Sequence, residues 1–540
     1  MSFNLSTDPW VPVLIGTRRS VLSLTDVFSQ ADKITGISGD PVERFSIMRM
    51  LICITQAAID GPADEAAWKK CKKDISTAAQ KYLKKWKVRF DLYGDHPFLQ
   101  VSALQRMHNH TKAFLNSFIA SGGNHTLFDS EARLDTERSI SEEDIAKAIL
   151  ITQVFGDCGL RSRAPNGTAW GGSKVALYGK SAIPTNNLLT LVEGDSLLDT
   201  IYYNLINKDW LEEAKIPFGR PLWETSVPEQ EGKVAKDIVR TYLYNLVPMS
   251  RGILLEKDTN EMSYSDGICP CALPQSAKGS EFSYRDPMAT IIAKRQAGKK
   301  PPIDDYLKLN PEKSPWRDLQ SILQISQTTQ VRKGPWALRH LIGNTEGEIR
   351  IATGGFAYNK AKPVMTCEWR VALPADFLDN STIDEYQVLV NKAEETSRSV
   401  AYALEIHLKL AEKNLSFEDK KNRKVYQALL SSAMKRYWHG LEACADRLLT
   451  TLPEDPQRAR EEWGRDILQH AVQAFEEACS GYAKKDLGSY VKALNFLHRR
   501  IRNGNSNGAS KVSGAATPGA AEEQSGDVVP EEEPIADASA

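Results

Sequence analysis

A glycine pair followed by a ring, an amide and an amine is the part of this 540-residue sequence best suited to chemistry. The pair is Gly354-Gly355, with Phe356 next to it and Asn359 and Lys360 shortly after. Glycines let backbone approach a partner closely because no Cβ is in the way. In a loop pressed against nucleic acid, rings stack or wedge, amides read base edges and amines meet phosphates. A Gly-Gly hairpin turn with ordinary polar neighbours explains the same residues, so both interpretations stay open.

A second stretch of small, basic and aromatic residues lies between residues 156 and 180. It contains Arg161, Arg163, Trp170, Gly171 and Gly172. The run from Gly171 to Lys174 superficially resembles a phosphate-binding P-loop, but its spacing does not fit G-x-x-x-x-G-K-[ST], so no nucleotide site is predicted. The composition does suit close approach to a sugar–phosphate backbone.

Residues typical of metal or catalytic sites are sparse. Cys269-Pro270-Cys271 is the only tight cysteine pair, and without a second pair nearby it falls short of a four-ligand zinc site. Lys278 is a lone basic residue in a segment we expect to be a flexible loop, where a solvated lysine is the default interpretation. The sequence lacks the common nucleotide, zinc-hydrolase, serine-hydrolase and dinucleotide motifs and any compact nuclease-like Asp/Glu/His cluster. We therefore predict no enzyme, metal or cofactor, although an active site assembled from distant residues stays open.

The composition predicts a cytoplasmic protein with an acidic tail. The chain is 41% apolar, enough for a sizeable core, and has no 18-residue apolar run and no N-terminal signal pattern. Its eight cysteines are mostly scattered, which fits reduced thiols. Residues 506–540 contain seven acidic residues and one basic residue, so we expect a disordered segment that favours solubility. The remaining body carries 67 basic and 62 acidic residues.

The hydrophobic pattern predicts an α+β fold. We expect a large mixed N-terminal domain with mobile loops over residues 1–376, a C-terminal four-helix bundle over 377–505 and the tail over 506–540. Helical spacing of apolar residues from Pro41 to Ile59 predicts a core helix, and Ser141 with Asp144 forms a capping box for another. Thr241 to Val247 is a short β-like run. Four long helical patterns then begin near residues 381, 416, 456 and 485.

A predicted helix from Glu65 to Trp86 is rich in lysine. It carries Lys69, Lys70, Lys72, Lys73, Lys81, Lys84 and Lys85. Such a face is usually solvated, and contact with nucleic acid or a partner is the alternative.

Several short motifs occur in a fixed order along nearly the whole chain. They are Asp8-Pro9-Trp10-Val11-Pro12-Val13, the helix containing Leu51-Ile52-Cys53-Ile54-Thr55-Gln56, His96-Pro97-Phe98-Leu99-Gln100, Trp170-Gly171-Gly172, Gly354-Gly355-Phe356 and the terminal helices. In this order they resemble the CasA family, the large subunit of the type I-E CRISPR surveillance complex Cascade. The acidic tail lies outside the resemblance.

The resemblance implies a recognition subunit rather than an enzyme. Members of the family recognise the protospacer-adjacent motif in double-stranded DNA, largely from the minor groove, and open the duplex so that guide RNA can pair. The implied partners are the DNA target, the guide RNA, a helicase–nuclease, and the backbone, small and 5′-end subunits of Cascade. No membrane partner is implied.

The resemblance also implies roles for particular residues. The family's glycine-rich loop corresponds to Gly171 and Gly172, and its minor-groove lysine corresponds best to Lys278. The wedge beneath the motif corresponds to Asn359 and Lys360, with Ala361 beside them. A glutamine is common where Lys360 stands, and an amine cannot supply the paired donor and acceptor of an amide. The loop that docks onto the backbone subunit and the guide RNA resembles Phe128-Asp129 and their neighbours.

Two rival functions stay open at this point. One is a metal-dependent nuclease, and the other is a helical scaffold that does not read DNA. Cleavage by the purified chain with divalent metal would support the first. The second predicts normal target binding after Asn359 and Lys360 are changed to alanine.

Overall fold

The structure is a computed structural model, and it describes most of the chain before the acidic tail. The described residues are 3–102, 104, 110–115, 140–156, 184–227, 233–268, 286–294, 303–310, 313–323, 335–341, 347–359, 362–411, 420–483 and 486–507. They divide into two compact units. Unit 1 comprises residues 1–391 and 439–463, and unit 2 comprises residues 392–438 and 464–540. The predicted three-part division of the chain stays a prediction.

Unit 1 mixes short helices with small sheets. Its strands are β1 (Val11–Ile15), β2 (Arg18–Leu22), β3 (Gly36–Ile37), β4 (His110–Thr111), β5 (Leu189–Glu193), β6 (Arg251–Leu255), β7 (Glu261–Asp266), β8 (Ile291–Lys294), β9 (Ile303–Tyr306), β10 (Glu348–Asn359) and β11 (Lys362–Pro374). Its shorter helices are α1 (Leu24–Ser29), α2 (Pro41–Ala58), α3 (Glu65–Cys71), α4 (Ile75–Lys85), α5 (Glu142–Val154), α6 (Leu197–Tyr203), α7 (Lys208–Glu213), α8 (Lys233–Ile238), α9 (Tyr242–Leu246), α10 (Leu319–Leu323) and α11 (Leu338–Leu341). Short 3-10 helices lie at residues 72–74, 87–90, 112–115, 222–224, 315–318 and 375–378.

The described strands form four small antiparallel sheets. Their strand orders are β2-β1-β3, β11-β10-β5, β4-β7-β6 and β8-β9. In the second sheet, β10 lies between β11 and β5 and is the central strand. From Arg350 to Gly354 the backbone of β10 is paired on both sides, so this part of the strand is held more firmly than an edge strand.

Helix α2 runs through the core of unit 1. The Asp40 side chain accepts a hydrogen bond of 2.9 Å from the Val42 N–H, and Pro41 occupies the first turn. Thirteen residues of α2 are buried, because apolar side chains surround the helix rather than forming one stripe. The expected core helix from Pro41 to Ile59 is confirmed.

Two expectations about local structure are wrong. The run from Thr241 to Val247 contains helix α9 rather than a strand, and all five residues of α9 are buried. Short apolar runs do not distinguish a buried strand from a buried helix by their periodicity. The single lysine-rich helix predicted from Glu65 to Trp86 is two helices, α3 and α4, separated by the 3-10 turn at residues 72–74.

Four long helices make up the C-terminal region. They are α12 (Asn380–Ala411), α13 (Lys420–Glu454), α14 (Pro456–Ala483) and α15 (Leu487–Asn507), close to the predicted bounds. Within unit 2, the Tyr437 hydroxyl donates to the Ala393 carbonyl at 2.9 Å, which joins α13 to α12. Phe475 of α14 stacks on Tyr490 of α15, with ring centroids 5.6 Å apart. The mixed helix-and-sheet fold with a helical C-terminal region is therefore confirmed.

Within unit 1, the ends of the long helices also pack tightly. The Trp463 indole N–H donates to the Leu389 carbonyl at 2.8 Å, and the Tyr386 hydroxyl donates to the Trp316 carbonyl at 2.9 Å. Trp316 and Trp463 meet edge to face at 5.9 Å. Among the described helices, none is long and apolar enough to cross a membrane.

Candidate nucleic-acid interface

The stretch containing the glycine pair is a long antiparallel hairpin. Strands β10 and β11 pair from Glu348 opposite Pro374 to Asn359 opposite Lys362. Asn359 is thus the last strand residue before the hairpin tip. Lys360 and Ala361, at the tip itself, lie outside the described residues.

Gly354 and Gly355 lie inside β10, so both sequence-based interpretations misplaced them. They form neither the exposed loop nor the hairpin turn that we expected. A Cβ on Gly355 would lie 2.8 Å from the Asn187 carbonyl oxygen, and one on Gly354 would clash with the Cys367 carbonyl oxygen. The glycines therefore let protein backbone, rather than nucleic acid, approach the strand closely.

The end of β10 nearest the tip is tied to the segment around Asn186. The Tyr358 N–H donates to the Asn186 side-chain oxygen at 2.6 Å, and the Asn186 N–H donates to the Phe356 carbonyl at 2.9 Å. Asn186 has a φ of 64°, a conformation that asparagine adopts more readily than most residues. Phe356 is fully buried and meets Phe155 edge to face at 6.3 Å. The tip is thus carried on a strand that is fixed by the core.

Charged side chains hold the middle of the hairpin against α2 and β5. Glu368 of β11 pairs with Arg44 of α2 and accepts from Arg370 at 2.7 Å. Arg370 also lies 3.1 Å from Glu193 of β5. Burial, followed by the nearby charge of Arg370, lowers the pKa of the Arg44 guanidinium, which stays protonated beside Glu368.

The ends of the segment that contains Gly171 and Gly172 lie next to each other. Residues 157–183, including both glycines, are outside the described part of the chain. Gly156 precedes this segment, and its carbonyl oxygen accepts a hydrogen bond of 3.1 Å from the Thr185 hydroxyl that follows it. The described residues that flank the segment, Gly156 and Thr185, therefore lie together, next to Asn186.

The segment containing Lys278 is likewise fixed at both ends. Residues 269–285 are not described, so the position of Lys278 stays a prediction. Before them, the Ile268 N–H donates to the Met249 carbonyl at 2.8 Å. After them, Asp286 binds Arg49 of α2 through both carboxylate oxygens, at 2.6 and 3.1 Å, and both side chains are essentially fully buried.

Backbone hydrogen bonds bring these anchors together. The Thr190 N–H donates to the Met288 carbonyl at 2.8 Å, so the residues after the Gly171 segment pair with those after the Lys278 segment. The Ser250 hydroxyl donates to the Gln153 carbonyl, which links the starts of the two segments. Asn186, just after the Gly171 segment, also binds Phe356 and Tyr358 of the hairpin. The described residues that flank the Gly171 segment, those that flank the Lys278 segment and the hairpin strands therefore lie together in one region of unit 1, and we call them the three stems.

The predicted docking residues Phe128 and Asp129 lie in another segment outside the described residues, 116–139. Its ends are also close together. The Tyr93 hydroxyl donates to Glu142 at 2.7 Å and lies 3.3 Å from the Lys112 ammonium. Burial, followed by the hydrogen bond to Glu142, raises the pKa of Tyr93, so its hydroxyl stays protonated. Lys112 and Glu142 lie on opposite sides of the segment in the chain.

Three residues of this region were not predicted from the sequence. Asn186 lies in Pro184-Thr185-Asn186-Asn187, and its turn-forming composition was a usable signal. Arg49 interrupts an apolar helical pattern, and buried arginines are nearly always paired. Asp286 carried no comparable local signal. Within the described ranges, no group of three or more His, Cys, Asp or Glu residues is arranged to hold a metal ion.

The sequence matches the family model described as CRISPR-associated protein Cse1 over residues 4–474. The chain belongs to the Cse1 family. This confirms the resemblance to the CasA family, the large subunit of type I-E Cascade. A relative from Thermus thermophilus, named CRISPR-associated protein CasA/Cse1, is 25% identical over 518 residues. The match covers 92% of this chain and 95% of the relative.

Solved structures of Cse1 proteins share the fold. Thermus thermophilus CasA has a TM-score of 0.73 at 20% identity, covering 93% of this chain and all of that one. Thermobifida fusca Cse1 has a TM-score of 0.71 at 20% identity, covering 93% of this chain and 98% of that one. A chain of a structure described as a CRISPR RNA-guided surveillance complex has a TM-score of 0.67 at 15% identity, covering 93% and 99%.

Proposed function

We propose that this Cse1-family chain recognises a protospacer-adjacent motif in double-stranded DNA and helps open the duplex for pairing with guide RNA. In this proposal it works without catalysis, as the large subunit of a type I-E surveillance complex in the cytoplasm. Gly171, Gly172 and Lys278 contact the motif, and Asn359, Lys360 and Ala361 form the wedge. Phe128 and Asp129 dock the chain onto the guide RNA and the backbone subunit.

The meeting of three stems in unit 1 supports this proposal most strongly. The hairpin, the segment with Gly171 and Gly172, and the segment with Lys278 start from the same hydrogen-bonded region. Anchors that lie near one another allow all three to contact one short stretch of duplex. Unrelated surface loops would not need to share an anchoring region.

The hairpin stem suits a wedge because it resists bending. Strand β10 pairs with β11 along its length and with β5 from Arg350 to Gly354, and nearer the tip it is bonded to Asn186. Phe356 is buried, and Glu368 is held by two arginines. A wedge separates base pairs only if the strand that supports it does not bend when it presses against the duplex. Exchange of DNA–DNA for RNA–DNA pairs is nearly balanced in other RNA-guided effectors, and a few protein contacts are then enough to favour opening.

The long C-terminal helices have a separate role in this proposal. We propose that they form a four-helix bundle. The bundle contacts the small subunits and the displaced strand, and it helps recruit the helicase–nuclease. Basic side chains on α13 and α15, including Arg423, Lys424, Arg499 and Arg500, suit a strand's phosphates.

Target binding by the reconstituted complex tests the wedge. The variant Asn359→Ala/Lys360→Ala is compared with wild type on an intact duplex and on a duplex with a pre-opened bubble beside the motif. We expect the variant to bind the intact duplex poorly and the bubble normally. Lys257→Ala/Asn260→Ala, which changes the same residue types in the turn between β6 and β7, is the matched control.

If the wedge variant binds each substrate as tightly as wild type does, the wedge is refuted. The alternative of a helical scaffold that does not read DNA would then be favoured. The nuclease alternative is tested separately, by incubating the purified chain and labelled DNA with Mg²⁺ or Mn²⁺. We expect no cleavage.

A further inference from the structure

The proposed wedge leaves unexplained a strongly basic surface formed by α3, α4 and the residues around them. We call residues 69–89 the lysine face. They contain eight lysines and one arginine but only one acidic residue, Asp74. All eight lysines are exposed. Such an imbalance creates a local positive potential, although the whole chain is close to neutral.

Most of these lysines form no ion pair within the described part of the chain, although Lys69 lies one helical turn after Glu65. Burial raises the pKa of that carboxyl, and the charge of Lys69 offsets part of the rise. Lys72 pairs with Asp199 of α6. The other seven, which are Lys69, Lys70, Lys73, Lys81, Lys84, Lys85 and Lys87, form no ion pair with a described residue. On an ordinary solvated face, acidic residues are interspersed among the basic ones, which limits repulsion.

The geometry of α4 places its lysines on one side. Ile75, Ala79, Tyr82 and Leu83 form the buried side of the helix. Lys81, Lys84 and Lys85 lie on the exposed side at spacings of three and four residues, so their side chains are neighbours. Tyr82 fixes the buried side, because its hydroxyl donates to Glu224 at 2.6 Å and accepts from the Trp223 indole at 2.8 Å. The exposed side therefore projects from a rigid support.

Helix-end electrostatics explain only part of this pattern. Lys69, Lys70, Lys84 and Lys85 lie in the last turns of α3 and α4, where cations interact favourably with the helix dipole. Lys73, Lys81 and Lys87 lie outside those turns. The dipole also gives no reason for the near absence of acidic residues over 21 positions.

We propose that the lysine face binds the phosphate backbone of duplex DNA without reading its sequence. Lysines are flexible point charges that suit phosphates, and each phosphate contact releases counterions. Protein interfaces, by contrast, are depleted in lysine and have an apolar centre. The lysine face offers little apolar surface beyond Val88, which is 71% exposed, and the half-buried Trp86. The identity of the partner rests on the proposed function, but the surface is separate from the proposed wedge and motif contacts.

The salt dependence of binding to DNA without a guide match tests this proposal. The assembled complex carries either wild-type chain or Lys81→Gln/Lys84→Gln/Lys85→Gln, and fluorescence anisotropy follows a labelled 30-bp duplex between about 50 and 200 mM salt. If all three lysines contact phosphates, the slope of log K against log salt becomes shallower by about 2.7. We also expect at least a roughly tenfold loss of affinity at 100 mM salt.

A control with the same loss of charge is Lys233→Gln/Lys236→Gln/Lys257→Gln, since these lysines are also exposed. An equal change in both triple variants would overturn the proposal, because net charge alone would explain it. Failure of the folded Lys81→Gln/Lys84→Gln/Lys85→Gln chain to assemble into the complex would also overturn it, in favour of an acidic protein partner. Circular dichroism checks that both variants remain folded.

The wedge variant separates this proposal from the proposed function. The duplex-against-bubble comparison with Asn359→Ala/Lys360→Ala uses matched DNA, whereas the salt slope of the lysine variant uses DNA without a guide match. If the lysine face does not bind DNA, the wedge variant still binds the bubble better than the intact duplex. If the hairpin is not a wedge, the variant binds both substrates equally well, while the lysine variant still shows a shallower salt slope.

Discussion

Arg49 is a charged side chain in the middle of an apolar helix, and it is fully buried. It donates to both oxygens of Asp286 and also to the carbonyls of Asn245 and Leu246, at 2.6 and 2.9 Å. A buried charge is tolerated only when its partners are complete. This pair thus joins the core helix to the residue that follows the Lys278 segment.

Breaking the Arg49–Asp286 pair should be costly. We expect Arg49→Met to lower the free energy of unfolding by about 3–5 kcal/mol, because Asp286 would be left buried and unpaired. The double variant Arg49→Met/Asp286→Leu should recover most of that loss. Urea unfolding followed by tryptophan fluorescence measures both. Arg460→Met removes a partly exposed pair with Glu385 and should cost no more than about 1 kcal/mol. Similar losses for Arg49→Met and Arg460→Met would contradict this account.

The glycines of β10 allow a second test at the same scale. Alanine in place of glycine in a strand usually stabilises, but at Gly355 the added Cβ would meet the Asn187 carbonyl oxygen. We expect Gly355→Ala to destabilise by about 1–3 kcal/mol in urea unfolding. Gly36→Ala in β3 is the matched control, since a Cβ there meets nothing within 4 Å. A stabilised Gly355→Ala protein would show that the close approach is not required.

At the scale of elements, Asn186 connects the hairpin to the residues after the Gly171 segment. We predict that Asn186→Ala weakens duplex opening by the complex, because it removes the bond to Tyr358 and disfavours a φ of 64°. Asn186→Gly permits that φ and loses only the side-chain bond, so its defect should be smaller. Target binding to intact and bubble duplexes measures both. Equal defects in the two variants would mean that the backbone conformation is unimportant.

The elements that the sequence predicted well are those with long, regular apolar patterns. Helices α2, α5 and α12 to α15 were recognisable because their periodicity extends over many turns. Helix α9 was not, because a five-residue apolar segment has too few positions to show a period. The position of Gly354 and Gly355 depends on Asn187 and Cys367, and no local pattern contains such contacts between distant residues.

For the whole molecule, the order of weak motifs predicted the family, and the match over residues 4–474 confirms it. The candidate site was only partly predictable. Residues such as Asn359 were proposed from their type and stay predictions, but Asn186, Arg49 and Asp286 support the candidate site through contacts that span 172 to 237 positions. In the proposed function, recognition of the target accordingly depends on contacts throughout unit 1 rather than on one motif.

The central claim is that this chain enables its complex to open duplex DNA. The most direct measurement compares complexes assembled with and without the chain, on a matched intact duplex and on the same sequence with a bubble beside the motif. We predict that the complex without the chain binds the bubble but not the duplex, and that adding the chain restores duplex binding. Equal binding of intact duplex with and without the chain would contradict the account.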